Sequence, residues 1–154
     1  MSNLAIIPAR GGSKRIPRKN IKDFLGKPII GYSIEVALEC GLFDEIMVST
    51  DDSEIADVAI KFGAKVPFFR SNQNSNDYAT LADVIDEVKD SYQISGITFE
   101  NICCILPTAP FVNVSLLRKG FSLLSENHVD SVRPIVRFSY PIQRAFKMNN
   151  GLLE

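Results

Sequence analysis

Ile6-Ile7-Pro8-Ala9-Arg10-Gly11-Gly12-Ser13-Lys14-Arg15-Ile16-Pro17-Arg18-Lys19-Asn20 is the stretch from which the fold is read. The apolar run Leu4 to Ile7, closed by Pro8, has the length and composition of a short buried strand. Arg10, Lys14, Arg15, Arg18 and Lys19 follow within ten residues. In an isolated loop these cations repel one another, and a polyanion seated among them reverses that cost. Gly11 and Gly12 let backbone N–H groups approach closely and point inward, as an anion-binding nest requires. The stretch therefore reads as a strand that delivers a triphosphate cradle. An ordinary turn carrying solvated cations is the plainer alternative. Neither Gly-x-x-x-x-Gly-Lys-Ser/Thr nor Gly-x-Gly-x-x-Gly occurs, so this is neither of the two common phosphate-binding fingerprints.

Outward from this loop, strand and helix signals alternate. Pro28 suits a first helical turn, Ile30, Ile34, Ala37 and Leu38 form an apolar stripe, and Gly41 is a C-terminal cap. Glu45 to Thr50 reads as a second strand, and Asp51-Asp52-Ser53-Glu54 caps a helix that buries Ile55, Val58, Ala59 and Phe62. Lys65 to Phe69 is a third strand, leading to Arg70 and the polar loop Ser71 to Asp77. Thr80 caps a third helix with Leu81, Val84, Ile85 and Val88 inward. Asn101 to Leu106 is a fourth strand, cut by Pro107-Thr108-Ala109-Pro110. Asn113 starts a fourth helix, and Asp130 to Val136 is a fifth strand. This alternation predicts an α/β three-layer sandwich, a mostly parallel sheet with helices on both faces. Arg10, Asp51, Arg70 and Thr108 then meet at the carboxyl edge of the sheet, where such folds bind ligands. Residues 1–136 form this domain. Residues 137–154 change character and read as the start of a hairpin around Asn150-Gly151, on a chain truncated at its C-terminus.

The 154 residues are 45% hydrophobic, enough for one domain with a core, and the net charge is −1. Positive charge is local, so a nucleic-acid partner relying on global basicity is not expected. No apolar run is long enough to span a bilayer, and no signal-peptide pattern is present. Cys40, Cys103 and Cys104 have no metal-ligand spacing and fit a reducing cytoplasm. His128 is the only histidine, reads as a surface residue, and supports no histidine-based acid–base chemistry.

Ile7 to Asn20 resembles the signature Ile-Pro-Ala-Arg-Gly-Gly-Ser-Lys-Gly-Ile-Pro-x-Lys-Asn of the CMP-sugar synthetases, cytidylyltransferases that activate nonulosonic acids such as sialic acid. Arg15 departs from it, where the family has glycine. Val48-Ser49-Thr50-Asp51, Phe62-Gly63 leading to Arg70 and Asp77, and Leu106-Pro107-Thr108-Ala109-Pro110 are similar to further family blocks in the same order. Arg-Phe-Ser-Tyr-Pro-Ile-Gln-Arg-Ala at 137–145 is most similar to the synthetases for pseudaminic acid. The resemblance implies a nucleotide-diphospho-sugar transferase-like fold and a reaction in which the sugar's anomeric hydroxyl attacks the α-phosphorus of CTP and expels pyrophosphate. It implies catalytic roles for Arg10 and Lys19. It implies nucleotide binding by Arg10, Gly11, Gly12, Ser13, Lys14, Lys19, Asn20, Arg70, Asp77, Pro107 and Thr108; for Arg70 and Asp77 a surface ion pair or turn is the alternative, and for Asp77 an equal one. Gln143 and Arg144 are then expected on the sugar acid, across a homodimer interface built by 137–154; a plain packed hairpin is the alternative. Leu106 stands where sialic acid synthetases have glutamine, which favours a more deoxygenated sugar.

Magnesium is the implied cofactor, and its Asp-x-Asp ligands are expected beyond residue 154. Asp51-Asp52 is a tempting pair, but adjacent acids before a helix more often cap it. Sialic, legionaminic or Kdo synthetases, or a non-catalytic nucleotide-binding fragment, remain alternative readings.

Overall fold

The computed structural model describes residues 2–126, 129–137, 148–149 and 152–153. In chain order it contains β1 (Asn3–Pro8), a 3-10 turn (Lys19–Ile21), β2 (Asp23–Phe24), β3 (Lys27–Pro28), α1 (Ile29–Cys40), β4 (Glu45–Ser49) and α2 (Ser53–Lys61). There follow α3 (Leu81–Ile94), β5 (Asn101–Cys104), α4 (Val114–Glu126), β6 (Met148–Asn149) and β7 (Leu152–Leu153). Two compact units divide the chain, residues 1–119 and 120–154.

The first unit is organised on β1, which is central in a parallel sheet of order β4-β1-β5. Ile6 lies opposite Met47 on one side and Cys104 on the other. Successive β1 side chains point to opposite faces, so one six-residue strand builds two cores. Ala5, Ile7 and Ala9 pack with Ile30, Ile34 and Ala37 of α1 and Ile55 and Ala59 of α2. Leu4 and Ile6 pack with Met47 and with Val88 and Tyr92 of α3. A sheet with helices on both faces is the three-layer α/β arrangement expected from the alternation. Burying each large aliphatic side chain contributes about 1.5–3 kcal/mol, so β1 anchors both layers.

Helix signals read from the sequence mark the observed ends. Gly41 takes the left-handed conformation, φ 64°, and closes α1. Thr80 and Asp83 form a reciprocal capping box on α3. Leu38 and Leu81, expected inward, are about half exposed, because the buried faces of their helices turn past them.

Two predicted strands need correction. Lys65–Phe69 runs beside β4 but pairs only through an isolated bridge, Met47 opposite Lys65. Pro67 has no N–H to donate, so hydrogen bonding resumes only where Arg70 N–H reaches the Thr50 carbonyl, 2.8 Å. Asp130–Val136 forms no strand: Pro134 interrupts it, and Ile135 and Val136 are exposed. Pro28, expected in the first helical turn, instead ends a two-stranded hairpin of β2 and β3, and α1 begins only after it. In the second unit β6 and β7 pair antiparallel, Met148 opposite Leu153.

Candidate functional site

The switch in strand order at β1 fixes where a ligand is expected. β1 leads through α1 to β4 on one side, and the chain then crosses back to β5 on the other. The crevice beyond the carboxyl ends of β1 and its neighbours is the switch point. Residues 9–20 leave β1 directly into it.

Several contacts order this loop. Ala9 N–H donates to the Ser49 carbonyl at 2.9 Å, prolonging β1 by one residue. Buried Asn20 donates through Nδ2 to the Arg10 carbonyl, 2.9 Å, joining the two ends of the loop. Arg18, in the left-handed region at φ 53°, places its guanidinium on Asp52 and Glu54, with Nη2 to Asp52 Oδ1 at 3.0 Å. Asp52 also caps α2 by accepting the Ile55 N–H at 3.0 Å. The Arg18 guanidinium holds the Asp52 carboxyl below the usual carboxylate range, although partial burial opposes it. Gly11 passes so close to this pair that a Cβ there would lie 2.6 Å from Asp52 Oδ2. Glycine at 11 is therefore required by close approach, independent of backbone angle.

Acids from neighbouring loops meet the cradle groups. Gly11 N–H donates to Asp51 Oδ1 at 2.9 Å, and Ser13 N–H to the Gly11 carbonyl at 2.8 Å. Of the three amides expected to hold phosphate, only that of Gly12 has no partner among the described residues. Arg10 donates to the Asn76 carbonyl and, through Nη2, to Asp77 Oδ1 at 2.9 Å, while Lys14 Nζ binds Asp77 Oδ2. These two cations, Lys14 foremost, lower the pKa of Asp77. Arg15 and Lys19 are exposed and make no ion pair among the described residues.

Arg70 is buried, 7% exposed, behind the loop. Its Nε donates to Ser49 Oγ at 2.9 Å and Nη2 to the Ser49 carbonyl. Burial lowers its pKa, opposed by the charges of Asp51 and Glu87. Arg10 adds to the lowering, so the two guanidiniums share one field. At the end of β5, Ile105 N–H bonds the Ile6 carbonyl at 3.0 Å and Ser33 Oγ of α1 bonds the Leu106 carbonyl at 2.9 Å. Pro107 is buried and Thr108 half-buried beyond this brace.

The structure thus brings Arg10, Lys14 and Asp77 into one cluster, with Arg70 behind it. Gln143, Arg144 and His128 lie outside the described residues. Clefts elsewhere include one of about 540 Å³ between α1 and the Pro110–Ser115 segment and a smaller one against α3. Sequence reasoning did not single out Asn76, the Arg18–Asp52–Glu54 clamp or Glu87, which accepts from Ser71 N–H at 2.7 Å, Ser71 Oγ at 2.8 Å and Asn74 Nδ2. Only acid-before-helix spacing hinted at the clamp, and nothing local points from Glu87 to a loop 13–16 residues earlier.

A magnesium site does not form from these residues. Asp51 holds an amide, Asp52 holds Arg18 and a helix end, and no described group of three His, Cys, Asp or Glu converges.

Known proteins are similar along the same residues. A family model described as Cytidylyltransferase matches residues 4–150. Pseudaminic acid cytidylyltransferase of Campylobacter jejuni subsp. jejuni serotype O:2 is 49% identical over 151 residues, covering 98% of this chain and 65% of that protein. CMP-N,N'-diacetyllegionaminic acid synthase of Legionella pneumophila subsp. pneumophila is 37% identical over 137 residues, 88% of this chain and 59% of that one. The chain therefore spans less than two thirds of the length of either curated relative. A solved CMP:2-keto-3-deoxy-manno-octonic acid synthetase complexed with CTP has the same fold, with TM-score 0.69 over 83% of this chain and 49% of that one at 24% identity.

Proposed function

The chain belongs to the cytidylyltransferase family, and from that membership we propose that it serves to form CMP-pseudaminic acid and pyrophosphate from CTP and the free nonulosonic acid. The observation that carries this reading is the basic Gly-Gly loop at the carboxyl end of the central strand, with buried Arg70 behind it. Such a transfer needs in-line placement and neutralised phosphate oxygens more than covalent participation by the protein. Arg10 and Lys14 are the cations for the triphosphate, and exposed Lys19 is free to move to the α-phosphate. The Gly12 amide is open to a phosphate oxygen, while the Gly11 and Ser13 amides act after rearrangement of their present bonds. Asn20 fixes the loop. Arg70 supplies a fixed positive background, and Pro107-Thr108 lines the base and sugar pocket. Pseudaminic acid is favoured over legionaminic acid because the relative named for the former is more similar, 49% against 37%.

Further parts of the reading rest on the family resemblance. Gln143 and Arg144 meet the sugar acid, and 137–154 joins two copies as a homodimer. Magnesium accompanies CTP with protein ligands outside the described residues. The reaction belongs in the cytoplasm, consistent with three free cysteines and with no described helix long and apolar enough to cross a membrane.

Incubation with CTP, magnesium and a panel of pseudaminic, legionaminic, sialic and Kdo acids, read by mass spectrometry of CMP conjugates, tests the proposal. CMP-pseudaminic acid is the expected product. Transfer to Kdo alone would overturn it, and CTP binding without any product would favour a nucleotide-binding fragment.

A further inference from the structure

Resting on the reading of 10–20 as a triphosphate loop, we infer that Asp77 is a displaceable internal anion, occupying the two cradle cations until nucleotide expels it. One carboxylate oxygen is 2.9 Å from Arg10 and the other binds Lys14, so Asp77 bridges the two side chains as a phosphate group would. Arg10 is held a second time by the Asn76 carbonyl, the neighbouring residue of the same loop. The loop is built to present this acid. Glu87 of α3 fixes its start through Ser71 and Asn74, and Asn76 Oδ1 accepts from Tyr78 N–H at 2.7 Å and Ala79 N–H at 3.0 Å on the far side of Asp77.

A triphosphate cannot bind Arg10 and Lys14 while a carboxylate bridges them, since like charges within a few ångströms repel. Asp77 must therefore swing out, and its position makes that easy. Its side chain is 40% exposed and that of Lys14 is 77% exposed, and ion pairs so open to water are individually weak. A polyphosphate offers several charged oxygens and a two-pronged partner for the Arg10 guanidinium, so it wins the exchange. Meanwhile the bridging carboxylate offsets the mutual repulsion of the two cations. The consequence is a tax on apparent affinity equal to the fraction of molecules with the loop unlatched.

Asp77→Asn keeps the shape and removes the charge. Isothermal titration with inorganic tripolyphosphate and with CTP is expected to give Kd values roughly three- to tenfold lower for Asp77→Asn than for the wild type, the range set by two weak exposed pairs. Independently of any variant, hydrogen exchange in wild-type residues 71–79 is expected to quicken when tripolyphosphate binds. Equal or weaker binding by a folded Asp77→Asn, or exchange in that loop unchanged or slowed in the wild type, overturns the latch. If CTP still binds the wild type in that case, the cytidylyltransferase reading stands. If the wild type binds neither ligand, both fall.

Discussion

At the scale of the residue, Arg10 separates chemistry from stability most cleanly. Its contacts are to a carbonyl and to an exposed carboxylate, and such pairs contribute at most about 1 kcal/mol. Arg10→Ala is expected to leave the thermal midpoint within a few degrees while lowering turnover about 100-fold, the cost of deleting one charge-stabilising donor; Lys19→Ala should behave alike. Steady-state kinetics beside a melting curve checks both, and unchanged activity in the pair would remove the cradle. Gly11→Ala works in reverse. Its Cβ would press on Asp52 at 2.6 Å, so it should destabilise the fold by about 1–3 kcal/mol in urea titration. The glycines and cations of residues 10–20 were legible in the sequence as one cluster directly behind a strand, a pattern that an ordinary turn shares. Their partners were not. Asp77 comes 67 positions after Arg10, and no local pattern says that the two side chains meet.

At the N-terminus of α2, Asp52 acts both as helix cap and as anchor for Arg18. The acid run before an apolar-periodic segment announced the cap; the anchor depends on the path of the basic loop. Because Arg18 lowers its pKa in the folded state, Asp52 contributes stability above the ordinary aspartate range. That contribution is lost as pH falls through the depressed native value, in the region below about pH 4. Asp52→Asn retains a capping oxygen and loses the charge, so its stability should fall less steeply than that of the wild type across the acid limb. Asp52→Ala should cost about 1 kcal/mol at neutral pH through the lost cap. Denaturant midpoints measured between pH 2 and pH 7 (roughly the range over which aspartates titrate) check both. A parallel acid limb for Asp52→Asn would show that the Arg18 pair contributes nothing. The two mistaken strands share a physical cause: Pro67 and Pro134 sit inside runs of β-forming residues, and apolar composition masked the missing donors.

Across the whole molecule, the alternation of strand and helix was sufficient to read a parallel sheet covered on both faces, because β1 is apolar on each face and only two helical layers can bury it. It also pointed to the carboxyl edge of the sheet, where residues 9–20 leave β1; that the strand order switches at β1 came from the structure. Sequence alone missed that Arg10, Lys14 and Arg18 of this loop pair with acids of other segments. Phosphorus NMR of CTP titrated with the chain tests whether residues 10–20 grip the triphosphate. All three phosphorus resonances are expected to shift on binding to the wild type, and Arg10→Ala to abolish most of that shift. Phosphorus resonances that stay unmoved while CTP binds, or that move equally with Arg10→Ala, would contradict it.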